Sequence, residues 1–321
     1  MPKVLVAGKL HQSGRDILDS ESAMDVTYID EISESSYAPH IHDTDALLIR
    51  TQPLSAGTVA LANNLKFVSR HGVGYDAVDV EALNQRGIPL AICGDVNSTS
   101  VAEHAAMMLL AVVKKTIRAD AAVRHNQWEW RNQLEAGEVR HKNLLLLGYG
   151  RIGQRIAQVM QGFELTIRAF DPYLLEHGWP DGPATPVASL EEGLAWAELI
   201  SISVPHSGKP LISRREFELM RDGVVIVNTA RGGIIDEPAL IDALTSGRVG
   251  GVGLDVFNNE PVTADNPLTR FDQALLTPHI AGLTDGAAER IAISSAQNIL
   301  DFFANSLDHT LIVNRDALQH E

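Results

Sequence analysis

The sequence predicts an α/β chain of two doubly wound, parallel-sheet domains, one inserted into the other. Three observations lead there. The chain has 321 residues, long for a single hydrophobic core, so two domains are expected. Short apolar runs alternate with helical segments along both halves, the rhythm of βαβ units. The run Leu144-Leu-Leu-Leu-Gly-Tyr-Gly-Arg-Ile-Gly153 also drives a strand into a G-x-G-x-x-G turn that opens a helix over residues 154–162.

In the first half, residues 3–7 read as a strand and 14–20 as a helix. Residues 45–49 form a buried strand ending at Arg50, and 56–62 a short helix. The strand over 67–69 runs into Arg70-His71-Gly72-Val73-Gly74-Tyr75-Asp76, and a helix over 78–85 stops at Gly87 before a strand over 88–92. From Ser100 the pattern changes. Ser100-Val-Ala-Glu103 is a capping box, and a long Ala- and Met-rich helix is expected over 102–124. It is apolar around much of its circumference, which places it at a domain or subunit interface.

A polar loop with Trp128 and Trp130 leads to the glycine turn and a second sheet. Its six strands are read at 144–147, 165–170, 199–204, 224–228, 251–256 and 274–277, with helices over 214–220 and 237–245. A last helix over 285–304 precedes a tail, 310–313, that reads as a strand. The second sheet already has six strands, so the tail belongs beside the first domain. The expected domains are therefore residues 1–97 plus 285–321, discontinuous and flavodoxin-like, and residues 98–284, Rossmann-type.

Composition narrows the partners. Hydrophobic residues at 45% and charged residues at 21% describe a globular chain, not a disordered one. No apolar run approaches the roughly 18 residues that span a bilayer. The N-terminus enters a strand at once, without a secretory leader, which predicts a cytoplasmic protein. The formal charge of -15 argues against nucleic acid and anionic membranes as partners. A chain this acidic needs a local arginine cluster to hold an anionic ligand, and Arg50, Arg70 and Arg231 all fall at strand ends. Cys93 is the only cysteine, so no intrachain disulfide or multi-cysteine metal site is expected. His40 and His42 lack an evident third ligand, so no metal is expected there.

The glycine turn has a specific chemistry. Gly148 permits the tight turn, Gly150 lets backbone approach a pyrophosphate, and Gly153 lets the helix lie close to its strand. The helix N-terminus then faces phosphate with free N–H groups and a positive dipole end. Asp171 closes the next strand, 18 residues beyond Gly153, where an acidic residue meets ribose hydroxyls. The cofactor expected is NAD in preference to NADP, because a carboxylate repels a 2′-phosphate. Arg168 and His177 lie close to Asp171 in sequence and temper that preference.

Three further sites sit at strand ends, where open α/β sheets place ligands: Arg231 in Asn228-Thr-Ala-Arg231, Glu260 in Asp255-Val-Phe-Asn-Asn-Glu260, and His279 in Thr277-Pro-His279. Hydride transfer to a 2-keto acid needs a cation for the carboxylate and an acid for the forming alkoxide. Histidine is the acid suited to neutral pH, and a neighbouring carboxylate would hold its imidazolium.

Six ordered motifs carry a resemblance at this point. They are His71–Asp76, Ser98–His104, the glycine turn, Asn228–Glu237, Leu254–Phe257 with Glu260-Pro261, and Thr277–Gly282. The chain resembles the D-isomer-specific 2-hydroxyacid dehydrogenases, which include D-3-phosphoglycerate dehydrogenase and glyoxylate/hydroxypyruvate reductases. The resemblance implies Arg231, Glu260 and His279 as the catalytic set, with Arg231 on the substrate carboxylate and Glu260 as partner of His279. It implies Arg151 and Ile152 along the pyrophosphate, Asp171 on the ribose, and Val204 and Pro205 beside the adenine. Thr229, Ala230, Asp255 and Gly282 would line the nicotinamide end. The backbone at Val73 and Gly74 would take the other side of the carboxylate, in a substrate-binding domain opposite an NAD-binding one.

Arg50 and Arg70 suggest a substrate with a second anionic group, such as phosphohydroxypyruvate. The resemblance further implies a homodimer built on the domain with the long helix, where the Trp128/Trp130 loop could cap the partner's site. With the chain ending at residue 321, no serine-type feedback site is expected. The segment Val204-Pro-His206-Ser-Gly-Lys209 departs from the threonine-rich stretch usual there and leaves His206 and Lys209 unexplained. Two other readings stay open: an NAD-sensing, protein-binding module on the same fold, and an NAD oxidoreductase of another small oxyanion.

Overall fold

The computed structural model describes residues 1–318. The first elements in chain order are β1 (Lys3–Ala7), α1 (Gln12–Ser20), β2 (Asp25–Ile29), α2 (Glu34–Tyr37), β3 (Ala46–Ile49), α3 (Ala56–Leu61), β4 (Phe67–Arg70), α4 (Val80–Asn84) and β5 (Leu90–Ala91). Next come α5 (Ser98–Val113), α6 (Thr116–Arg124), β6 (Asn143–Leu147), α7 (Arg151–Met160), β7 (Thr166–Phe170), α8 (Pro172–His177), β8 (Thr185–Pro186) and α9 (Leu190–Trp196). The remainder is β9 (Leu199–Ile202), α10 (Arg214–Leu219), β10 (Val224–Asn228), α11 (Glu237–Thr245), β11 (Val249–Leu254), β12 (Ala274–Leu276), α12 (Asp285–Phe303) and α13 (Arg315–Leu318).

Two compact units emerge: Met1–Asn97 together with the chain from Thr284 onward, and Ser98–Leu283. The first holds a five-stranded sheet of order β2-β1-β3-β4-β5, parallel throughout. That is the flavodoxin-like order, with a switch point between β1 and β3. Strands β1, β3 and β4 are nearly continuous runs of buried residues, as a sheet covered on both faces requires. Helix α12 belongs to this unit. It covers one face with Ala292, Ala296 and Ile299, packed with Val6, Leu48 and Phe67.

The second unit holds a seven-stranded parallel sheet of order β12-β11-β10-β9-β6-β7-β8. Counted from β6, this is the doubly wound dinucleotide-binding order with one strand added beyond β11, and β6 and β9 flank the switch point. Open α/β sheets bind ligands outside the C-terminal ends of the strands at such a point, and the residues singled out in the second unit lie along that edge.

The structure departs from the sequence reading at five points. Strand β2 is an edge strand with partly exposed residues and lacks the apolar run that marks the others. Strand β8 has two residues, one a proline, which only an edge tolerates. The long helix is broken: Lys115 adopts a left-handed φ of 54° between α5 and α6, and the Val113 carbonyl accepts instead from Gly137 N–H at 2.9 Å. Helix α5 also starts at Ser98, so the presumed capping box lies inside it. Ser98 and Ser100 are both buried on the small-residue face that docks the helix, and tertiary burial outweighs the local cap signal.

The tail is not a strand. It makes one antiparallel bridge, Ile312 to Ala91, just after a 3-10 turn over His309–Leu311. The Asn314 side chain then replaces the ladder, accepting from Leu90 N–H at 2.9 Å and donating to the Ile88 carbonyl at 3.0 Å. Among the described residues, no helix is long and apolar enough to cross a membrane.

Candidate active site

The glycine turn follows β6, whose residues Leu144–Leu147 are fully buried. Gly148 has φ +89°, and a Cβ on it would stand 2.7 Å from the Ser203 carbonyl oxygen. A Cβ on Gly153 would stand 2.3 Å from the Gly148 oxygen, so the first turn of α7 lies directly on the turn that feeds it. Gly150 is different. Nothing lies within 4 Å of the place its Cβ would take, and no side chain caps the N-terminus of α7. Open space above unsatisfied first-turn N–H groups is what a pyrophosphate needs. Arg151 is exposed and Ile152 half-buried at that end.

Asp171 closes β7 and holds both sides of this edge. One carboxylate oxygen accepts from Tyr149 N–H at 2.9 Å, inside the glycine turn. The other accepts from Leu174 N–H at 3.2 Å and caps α8. The two groups that tempered the cofactor preference are engaged elsewhere. Arg168 lies over the Trp196 ring at 4.6 Å with Glu192 at 3.7 Å, and His177 stacks on Tyr173. A further brace has no signature in the sequence: Tyr149 is buried and stacks on Trp179 at 5.1 Å, while Trp179 Nε1 donates to the Ala184 carbonyl.

At the other side of the switch point, Val204 is half-buried and Pro205 exposed just beyond β9. Thr229 is 8% exposed, and its Oγ1 is buried without a partner among the described residues, as is Ser203 Oγ. Orphaned hydroxyls at a strand edge are a mark of a ligand contact. The open Gly150, the uncapped helix, Asp171 and these hydroxyls together fit a dinucleotide.

Arg231 is presented by a turn that Asn228 builds. Its Oδ1 accepts from Ala230 N–H at 3.0 Å and its Nδ2 donates to the Arg231 carbonyl at 2.9 Å. The next turn is stitched to the loop that carries Glu260. Gly232 lies against the Phe257 carbonyl so closely that any Cβ would collide, and Gly233 N–H donates to Asn258 Oδ1 at 2.6 Å. The Arg231 turn and the Glu260 loop are therefore joined directly. His206 sits with its ring over Gly233, and Lys209 is exposed.

Glu260 and His279 meet. His279 Nδ1 is 2.7 Å from Glu260 Oε2, and Glu260 Oε1 accepts from Phe257 N–H at 2.9 Å. Both carboxylate oxygens are thereby fixed, and Nδ1 is the ring nitrogen that Glu260 orients. Nε2 remains for a reacting group, able to give a proton as imidazolium or take one as neutral ring. The His279 side chain is 48% exposed, so it is reachable. Asp255, by contrast, is completely buried. Its carboxylate accepts from Thr277 Oγ1, Ile280 N–H and Ala281 N–H, so its influence at that end runs through the loop bearing His279 and Gly282.

In the first unit, Arg50 and Arg70 close neighbouring strands β3 and β4. Arg50 donates to the Lys9 carbonyl at 2.5 Å and Arg70 to the His71 carbonyl at 2.7 Å. Val73 and Gly74 follow, both partly exposed. Burial first, then the charges of Arg50 and Arg70, push the His71 pKa down to about 3.

The sheet order and the glycine edge define an α/β fold of the dinucleotide-binding type. The sequence pattern of the D-isomer specific 2-hydroxyacid dehydrogenase NAD binding domain matches residues 106–281. The chain belongs to that family. It is 36% identical over 308 residues to D-3-phosphoglycerate dehydrogenase of Mycobacterium tuberculosis, covering 93% of this chain and 56% of the relative. It is 33% identical to glyoxylate reductase of Thermofilum pendens, covering 87% of this chain and 84% of the relative. Its fold matches an NAD-dependent formate dehydrogenase from Staphylococcus aureus, solved in complex with NAD, with a TM-score of 0.84 at 25% identity, covering 96% and 97% of the two chains. The chain spans just over half the length of the phosphoglycerate dehydrogenases it matches.

Proposed function

We propose that this protein is an NAD-dependent oxidoreductase that interconverts a D-2-hydroxy acid and its 2-keto acid. One observation carries the reading: the His279–Glu260 pair, 2.7 Å apart, on the sheet edge that also presents Arg231 and the glycine turn. NAD, when bound, supplies or accepts the hydride at C2. Arg231 binds the substrate carboxylate and polarises the carbonyl. In the reducing direction His279 gives its Nε2 proton to the forming alkoxide, and Glu260 holds the imidazolium ready beforehand. In the oxidising direction the same nitrogen takes the hydroxyl proton.

The unit formed by residues 98–283 is the NAD-binding domain in this reading, and the other unit binds substrate through Val73, Gly74, Arg50 and Arg70. The names of the relatives span substrates with and without a phosphate. Arg50 and Arg70, two cations at neighbouring strand ends in an acidic chain, favour a substrate with a second anionic group. We assign the reaction to the cytoplasm and the assembly to a homodimer on the α5–α6 arm, where Ile117, Val123, Trp128 and Leu134 are exposed.

The test is turnover of glyoxylate, pyruvate, hydroxypyruvate and phosphohydroxypyruvate with NADH. His279→Ala is expected to lose about 10²-fold or more of kcat while NADH still binds; undiminished turnover would end the proposal. In the same assay, Arg70→Ala should weaken kcat/KM most for the phosphorylated acid, and equal losses across the panel would remove the second anionic group.

A further inference from the structure

The motif Ser98–His104 is part of the family resemblance, yet nothing in the reaction above uses it. Its last residue, His104, lies on α5 with its side chain 14% exposed. Its Nε2 is 3.1 Å from Thr277 Oγ1, and Thr277 donates its hydroxyl to Asp255 Oδ1 at 2.5 Å. A threonine hydroxyl has one hydrogen, so Oγ1 can only accept from the histidine, and His104 Nε2 must carry a proton. The direction of the chain is thereby fixed: His104 Nε2–H to Thr277 Oγ1–H to the Asp255 carboxylate.

That carboxylate holds the loop on the far side of His279. Oδ1 accepts from Ile280 N–H at 2.9 Å and Oδ2 from Ala281 N–H at 2.8 Å. His279 N–H donates to the Thr277 carbonyl at 3.0 Å. Between these anchors His279 has a φ of +53°, a left-handed conformation that a non-glycine residue keeps only when its surroundings over-determine it. Thr277 before it and Ile280 and Ala281 after it all converge on Asp255. The carboxylate is completely buried, and His104 Nε2 faces it at 3.7 Å from Oδ1.

We propose that His104 is a positioning residue for proton transfer at His279, acting through Thr277 and Asp255 to hold the His279 backbone in the conformation that aims Nε2. The inference rests on His279 as the acid–base residue. A misplacement of about 1 Å at a reacting group can cost on the order of 10²-fold in rate, so a slack anchor reads out in kcat.

The experiment compares His104→Leu, which keeps bulk without a donor, with His104→Gln, whose amide can donate to Thr277. The readouts are kcat, KM, NADH affinity and the 15N resonances of the His279 ring. His104→Leu is expected to lower kcat about tenfold or more, leave NADH affinity within about twofold, and shift the His279 resonances. His104→Gln should restore kcat to within about threefold and return the resonances. If His104→Leu does not fold, Thr277→Val breaks the middle link and is read the same way. An unchanged kcat with unmoved ring resonances, or equal losses in the Leu and Gln variants, overturns the proposal. A wild-type protein that turns over no keto acid would instead sink the functional reading, and the ring resonances would still report on His104.

Discussion

Single residues here serve two masters, and their second task is what the sequence hides. The distance of Asp171 from the glycine turn marks it in the sequence as an expected ribose partner, and the structure shows it pinning Tyr149 N–H and capping α8. The His279–Glu260 pair was readable from motifs at strand ends. Asp255 was not readable as the anchor of the His279 loop, because its partners at Ile280 and Ala281 are backbone groups that no residue type announces. His104 was hidden more deeply: it meets Thr277 across 173 residues of chain, a contact no local spacing rule can report. His71 makes a testable case at this scale. Its folded pKa of about 3 lies below its ordinary 6.5, so the unfolded chain binds a proton between those values that the folded chain refuses. His71 therefore withdraws stability as pH falls from about 6.5 to 3, by up to about 1.4 kcal/mol per pH unit. Urea unfolding across that window should show a shallower acid limb for His71→Gln than for wild type, and coincident limbs would contradict the assignment.

Elements were legible in proportion to how clearly burial marked them. Strands β1, β3, β6 and β10 are apolar runs, and helices α11 and α12 carry their own N-caps in Asp236 and Thr284. Edge strands β2 and β8 are half-wet or proline-bearing and gave no such run. The break at Lys115 was invisible because its cause is tertiary: a left-handed residue and a distant N–H from Gly137 divert the helix. That break turns α6 and the Trp128 segment into an arm whose Val123 is 58% and Leu134 87% exposed. Apolar side chains left exposed in this density favour the proposed homodimer surface. Wild type is expected to sediment as a dimer and the Val123→Asp/Leu134→Glu double variant as a monomer, while a wild-type monomer at micromolar concentration would refute the arm as an interface.

At the scale of the whole chain, fold class came through most plainly, because two parallel sheets leave a repeated signature of buried strand, turn and helix. The crossings near residues 97 and 284 make the first unit discontinuous, and the tail's return to β5 is what closes it. The net charge of -15 then makes the placement of a few arginines decisive, since an anionic substrate must find cations in a field that repels it. What the sequence could not convey is substrate identity, which depends on how side chains from separate strand ends converge. The central claim is direct hydride transfer to C2 of a 2-keto acid with D configuration in the product. Turnover of hydroxypyruvate or pyruvate with NADH deuterated at its transferable C4 position tests this most directly. The account predicts a D-2-hydroxy acid with one deuterium on C2. An L product, deuterium lost to solvent, or NADH bound without any product would contradict it.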